Sequence, residues 1–145
     1  MNPSAIEFNV SHSEDSWVLA AARNRRLGID VERIRSDFGG EDIARANFAP
    51  SEVDALLSVA EQERMQAFFN CWTRKEAYVK ALGAGLQIPL DSFEVSLRQD
   101  EPARFRRGAG EDWHLLSFLV ETGYQAAVAY QGAPATSRFL ELNAS

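Results

Sequence analysis

Asp30, Glu32 and Glu76 are the carboxylates of this chain whose positions call for chemistry. Asp30 and Glu32 fall in Gly28-Ile29-Asp30-Val31-Glu32, an alternating stretch that reads as a strand, where residues two apart share a face. Leu27, Ile29 and Val31 are expected to point into the core, with Asp30 and Glu32 projecting together from the other side. Two carboxylates that close repel each other unless water or a cation lies between them. Glu76 belongs to Asn70–Lys80, a Trp-x-x-Lys-Glu-x-x-x-Lys pattern in a stretch whose apolar residues Met65, Phe69, Trp72 and Val79 recur at helical spacing. Glu76 shares that stripe, and an uncompensated charge there is costly to desolvate, so it must be neutralised, paired or bound to a cation. Oxygen donors without His or Cys partners suit Mg²⁺ or Mn²⁺ rather than zinc. Glu76 supplies a third ligand if its helix lies across the strand. The competing reading makes Asp30 and Glu32 a solvated strand face beside Arg26 and Arg33.

The two lysines of the chain, Lys75 and Lys80, stand on the same helix, while the other thirteen of fifteen basic residues are arginine. That usage points to a site wanting a compact ammonium. Ser11, His12 and Ser13 follow the first expected strand, and His12 can either bind a phosphate through a ring nitrogen or serve as a turn histidine satisfied by backbone. Glu52, in the first turn after Pro50, is favoured there by the helix dipole whatever else it does. Cys71, mid-helix, reads as a small core residue rather than a nucleophile. No Ser-His-Asp or Cys-His set, phosphate loop or zinc spacing is evident, so the nucleophile of any reaction is expected on a substrate.

The elements that must position these groups are legible as runs. Residues 6–10, 16–22 and 26–33 read as strands, the first two around a polar turn at Ser11–Asp15. Asp37–Gly40 is an expected loop, followed by helices near Glu41–Asn47 and from Pro50. A long helix is expected over about 61–82, stopped by Gly83-Ala84-Gly85. Phe93–Leu97, Ala103–Arg106, Trp113–Glu121 and Tyr124–Gln131 read as strands, the last two joined at Thr122-Gly123. The expected class is α+β, an antiparallel sheet with one long helix packed on it.

A length of 145 residues fits one domain, and 46% hydrophobic with 25% charged residues is ordinary globular composition. The net charge of −6 argues against a nucleic-acid binder. The arginines at 23, 25 and 26, at 33 and 35, and at 104, 106 and 107 nonetheless bunch, as solvated faces or as a positive patch for an anionic ligand or acidic partner. No apolar run is long enough to span a membrane. A single cysteine and a start without signal-peptide features lead to an expected cytoplasmic location.

Taken in order, Phe-Asn-Val-Ser-His-Ser (8–13), Gly-Ile-Asp-Val-Glu (28–32), Phe-Ala-Pro-Ser-Glu (48–52) and Phe-Asn-Cys-Trp-Thr-Arg-Lys-Glu-Ala-Tyr-Val-Lys (69–80) resemble 4′-phosphopantetheinyl transferases of the Sfp type. Gly83-Ala84-Gly85-Leu86 and Pro89-Leu90-Asp91-Ser92-Phe93 continue the likeness over nearly the whole chain. The resemblance implies transfer of 4′-phosphopantetheine from coenzyme A to a serine of an apo acyl or peptidyl carrier protein, releasing adenosine 3′,5′-bisphosphate. It implies Mg²⁺ held by Asp30, Glu32 and Glu76, with Mn²⁺ as a possible substitute. Ser11 and His12 are implied to bind the nucleotide end of coenzyme A, and Lys75 and Lys80 its phosphates. Glu52 matches an acid of the family and joins Glu76, Lys75 and Lys80 as a catalytic candidate. The serine's base is either Glu76 or a metal-bound water. The family has two similar lobes with coenzyme A between them; here residues 1–25 match the end of the first lobe and 26–145 the second. A homo-oligomer, or association with a separate first lobe, is therefore expected. The alternative is a non-catalytic module that binds coenzyme A or a carrier protein.

Overall fold

The computed structural model describes residues 5–36, 40–83 and 87–140. Strands β1 (Ile6–Ser13), β2 (Ser16–Arg23) and β3 (Leu27–Arg33) come first, then helices α1 (Gly40–Asn47), α2 (Pro50–Ser58) and α3 (Arg64–Leu82). Strands β4 (Glu94–Val95), β5 (Phe105–Arg107), β6 (Trp113–Leu119) and β7 (Tyr124–Gln131) follow. All strand ladders among the described residues are antiparallel: β1 with β2, β4 with β5, and a three-stranded sheet ordered β3-β7-β6. Helix α3 packs on β3 and β7, which makes the class α+β, as the sequence leads one to expect.

Several boundaries differ from the sequence reading. Ser11, His12 and Ser13 lie within β1 rather than in a turn, because pairing with β2 continues to Ser13 opposite Ser16. The long helix begins at Arg64, after a separate 3₁₀ turn at Glu61–Glu63. The strands expected at 93–97 and 103–106 shrink to β4 and β5, whose register breaks between Glu94 and Val95. β6 stops at Leu119, before Glu121 takes a positive φ of 58°. Part of the expected loop at Asp37–Gly40, and Ala84 and Gly85 of the helix stop, lie outside the described residues. Gly83 is described, and its φ of 114° ends α3 in a conformation that suits glycine.

The main core gathers one side of α3, including Phe68, Phe69 and Tyr78, against Phe93, Val95, Trp113 and Leu115. On its β3 side the helix needs a gap, and Gly28 provides one. A Cβ at Gly28 would fall well inside contact distance of the Ala77 carbonyl and the Ala81 amide, so helix and strand meet backbone to backbone. Alternation then puts Asp30 and Glu32 on the same face as Gly28, toward α3. Leu27, Ile29 and Val31 lie buried on the opposite face, as the sequence leads one to expect, and the carboxylates share the side that α3 crosses.

The β1–β2 hairpin lies along the free edge of β3 without backbone pairing. Asn9 Oδ1, Ser11 Oγ and Ser13 Oγ accept hydrogen bonds from the amides of Ile29 (2.8 Å), Val31 (3.1 Å) and Arg33 (3.0 Å). Each pair is twenty residues apart, so β1 runs parallel to β3 and its inward polar side chains take the place of a neighbouring strand's carbonyls. The other face of the hairpin is apolar and open: Ile6, Phe8, Trp17 and Leu19 are each about 60–70% exposed.

Gly28→Ala is expected to cost about 3 kcal/mol, the upper part of the range for overpacking, because the colliding atoms are backbone. Urea unfolding measures it; a loss below about 0.5 kcal/mol would mean that α3 does not rest on β3 at this point.

Candidate functional site

Trp72, Glu76 and Lys80 follow one another at intervals of four, one stripe of α3, and that stripe faces the carboxylates of β3. At one end the Trp72 side chain pulls the Glu32 carboxyl down, against the burial that raises it. At the other the Lys80 ammonium donates to the carbonyls of Ile29 (2.5 Å) and Val10 (3.0 Å), joining β3 and β1. Asp30, Glu32 and Glu76 all act electrostatically on Lys80. The helix thus does lie across the strand, and it brings the three carboxylates and Lys80 into one electrostatic cluster.

That cluster is short of positive charge. Asp30 is only 7% exposed; burial first, then Glu32 and Glu76, push its carboxyl from 3.8 up to about 8, against the pull of Lys80. Burial and then Glu76 raise Glu32, and burial also raises Glu76. Burial lowers Lys80, while the three carboxylates oppose that shift. Ser11 Oγ reaches Asp30 Oδ1 at 3.5 Å, yet Asp30 Oδ2 is buried with no hydrogen-bond partner. An orphaned carboxylate oxygen among repelling carboxylates is a place that a hard cation would satisfy. The side chains stand short of a closed shell: among the described residues no three His, Cys, Asp or Glu groups are gathered at ligating distance.

Lys75 and Glu52 are brought together elsewhere. Lys75, expected at the phosphates, is 0% exposed and points away from the carboxylates of β3 into the core. Its ammonium meets Glu52 Oε1 at 2.7 Å, donates to the carbonyls of Leu90 and Phe93 at 2.5 Å each, and lies 4.3 Å over the Phe93 ring. Glu52 Oε1 also accepts from the Ala49 amide (2.9 Å), closing the first turn of α2, and Oε2 accepts from the Val95 amide (2.7 Å). The phase of the helix explains the separation: one residue is about 100° of rotation, which turns Lys75 away from the Trp72–Glu76–Lys80 stripe.

The Ser11–His12 pair is also split. Ser11 faces β3 and is buried at Asp30, whereas His12 is exposed on the outer face, its ring stacked on Trp17 at 4.3 Å between centroids. Three residues of the site escaped the sequence reading. Trp72 shares the stripe of Glu76 but is expected there only as a core residue, not as a neighbour of Glu32; Asn9 and Ser13 hold β3 through their spacing of two from Ser11. Cys71 is buried and its thiol pushed up by burial, in keeping with a core role.

An α+β fold that presents carboxylates and a lysine between a helix and a strand is equipped to hold a cation against an anionic substrate. The family follows from comparison: the sequence model of the 4′-phosphopantetheinyl transferase superfamily matches residues 26–129, and this chain belongs to that superfamily. It is 36% identical over 129 residues to 4′-phosphopantetheinyl transferase HetI of a Nostoc species, covering 89% of this chain and 53% of the relative. It is 40% identical over 122 residues to 4′-phosphopantetheinyl transferase gsp of Aneurinibacillus migulanus, covering 84% and 50%. To 4′-phosphopantetheinyl transferase Sfp of Bacillus subtilis it is 34% identical over 122 residues, covering 83% and 53%. The chain therefore spans about half the length of these relatives. Its fold is similar to that of Thermotoga maritima holo-[acyl-carrier-protein] synthase, with a TM-score of 0.56 and 21% identity over 75% of this chain and 64% of that one.

The raised Asp30 carboxyl fixes a sign for stability. Between 3.8 and about 8 the folded state holds a proton that the unfolded state has lost, so stability falls as pH rises through that window. In EDTA, the Tm of the chain is expected to drop from pH 5 to pH 8. Asp30→Asn removes the titration, so its Tm advantage over wild type should grow over the same span; equal slopes would show that Asp30 is ionised at ordinary cost.

Proposed function

We propose that this chain transfers 4′-phosphopantetheine from coenzyme A to a serine hydroxyl of an apo acyl or peptidyl carrier protein, with Mg²⁺ as cofactor. The observation that carries the reading is the unsatisfied Asp30 carboxylate between Glu32, Glu76 and Lys80, in a chain of this superfamily. Asp30, Glu32 and Glu76 would hold the cation, which when bound neutralises pyrophosphate charge and stabilises the charge developing in transfer. Lys80, already among these carboxylates, would take a phosphate oxygen. Its two carbonyl acceptors fix the ammonium at the point where β1 meets β3. Trp72 favours the charged form of Glu32, and Ser11 donates to Asp30. His12, exposed beside Trp17, is free to meet the nucleotide end.

The reaction breaks the pyrophosphate bond of coenzyme A and forms a bond from the serine Oγ to the phosphorus bearing the pantetheine. The serine proton passes to a base, with Glu76 a candidate for that role, and adenosine 3′,5′-bisphosphate leaves with the electron pair. The exposed outer face of the hairpin is the surface for association, either with a second copy or with the half of the relatives that has no counterpart here. The bases for a cytoplasmic site of action are the buried free thiol of Cys71 and the absence, among the described residues, of a helix long and apolar enough to cross a membrane.

Intact-mass analysis of an apo carrier protein incubated with the chain, coenzyme A and Mg²⁺ is expected to show the phosphopantetheine increment, lost with EDTA. Asp30→Ala and Glu76→Ala should each lower the rate by at least about a hundredfold, of the order seen when a positioned charge is removed, with circular dichroism unchanged. Full activity in either variant would sink the metal assignment. Binding of coenzyme A without Mg²⁺-dependent turnover would instead identify a binding module. In sedimentation velocity the chain is expected to self-associate and Phe8→Glu to shift it toward monomer; an unassociated wild type would leave the relatives' other half as the partner.

A further inference from the structure

We propose that Lys75 and Glu52 are positioning residues of the transfer reaction, which set the rotation of α3 so that Glu76 faces Asp30 and Glu32, and that neither touches substrate. The proposal rests on the reading of the carboxylate cluster given above. Its physical basis is that the pair is enclosed and complete. Lys75 has three N–H donors, and Glu52, Leu90 and Phe93 supply three oxygens. Glu52 is 2% exposed and both its oxygens are occupied, by Lys75, Ala49 and Val95. A fully enclosed ammonium with no unused proton has nothing left to offer a solvated phosphate.

An enclosed ion pair adds little to stability over apolar residues of the same size, because desolvation offsets the attraction. What it adds here is direction. Apolar packing is non-directional, whereas an ammonium held by acceptors in α2 and in the 90–93 segment points the helix at fixed partners. Gly28 fixes the distance of α3 from β3 on one side, and the pair fixes its rotation from another. Glu76 is the next residue after Lys75, so a roll of the helix moves its carboxylate directly. Arg74, also buried, adds a third tether through the Ser96 carbonyl (2.6 Å) and Ser117 Oγ (3.1 Å).

The test uses the full chain and the double variant Glu52→Gln/Lys75→Met, which removes both charges together and keeps their volumes. Isothermal titration with Mn²⁺ alone is the first readout, and titration with adenosine 3′,5′-bisphosphate in EDTA the second. The expected result is Mn²⁺ affinity at least tenfold weaker, nucleotide affinity unchanged, and a Mg²⁺ requirement for transfer raised by the same factor with the KM for coenzyme A unaltered. A phosphate-binding role would give the reverse, intact Mn²⁺ affinity with weakened nucleotide binding, and would overturn the proposal. So would a double variant that matches wild type in both titrations. If the double variant fails to fold, Lys75→Arg replaces it: the longer fork keeps the charge but displaces the helix, and the same loss confined to Mn²⁺ is expected. Wild-type chain that binds Mn²⁺ yet transfers nothing would refute the proposed reaction, while the Mn²⁺ comparison would still decide the role of the pair.

Discussion

The contact between the backbone of α3 and the bare Cα of Gly28 is the constraint on which the rest depends. It brings a helix against a strand at a separation that leaves no room for a side chain between them. On the same face of β3, Asp30 and Glu32 come up beneath the Trp72, Glu76 and Lys80 stripe. Three carboxylates facing Lys80, with the Arg35 guanidinium acting on Glu32, carry excess negative charge, and burial multiplies its effect. Burial and the neighbouring carboxylates push the Asp30 carboxyl up to about 8, so taking up a proton is one way to relieve that excess. A divalent cation is the other way to meet it, and the family to which the chain belongs performs phosphoryl-transfer chemistry, in which metal ions commonly serve.

The sequence revealed most of the parts and less of their facing. Alternation in 27–33 made Asp30 and Glu32 a pair, but a period of two does not say which parity meets the helix. Gly28 held that information, since a glycine inside a strand marks close approach of another backbone. The stripe on α3 is legible for Trp72 and Glu76 together, but the effect of Trp72 on Glu32 is not, because a tryptophan in an apolar pattern satisfies the core reading without reference to its indole N–H. The resemblance implies a place for Lys75 at the phosphates. Helical phase argued otherwise: it lies three positions from Trp72 and five from Lys80, out of step with residues spaced by four. β4 and β5 fall short of the expected strands for another reason, since their pairing breaks at an irregularity between Glu94 and Val95.

The hairpin shows a further limit of pattern reading. Its alternation was recognised, but the ordinary assignment of apolar inward and polar outward is inverted. Asn9, Ser11 and Ser13 turn toward the rest of the molecule because the edge of β3 offers amides, for which apolar side chains have no acceptor. Phe8, Trp17 and Leu19 are consequently left outside, and the burial that would stabilise them has to come from another surface.

The three short polar side chains of β1 have one more effect, which concerns what β3 is prevented from doing. An unpaired strand edge is a template for any extended chain, the route by which sheets grow into aggregates or exchange strands between molecules. Here the outward amides of Ile29, Val31 and Arg33 already have acceptors, and the Ile29 carbonyl is taken by Lys80. A foreign strand arriving at this edge finds its hydrogen-bonding positions filled by groups too short to form a ladder of their own. The fold therefore keeps this edge of its main sheet closed beside the carboxylates, so the exposed apolar face of the hairpin does not make that sheet a seed.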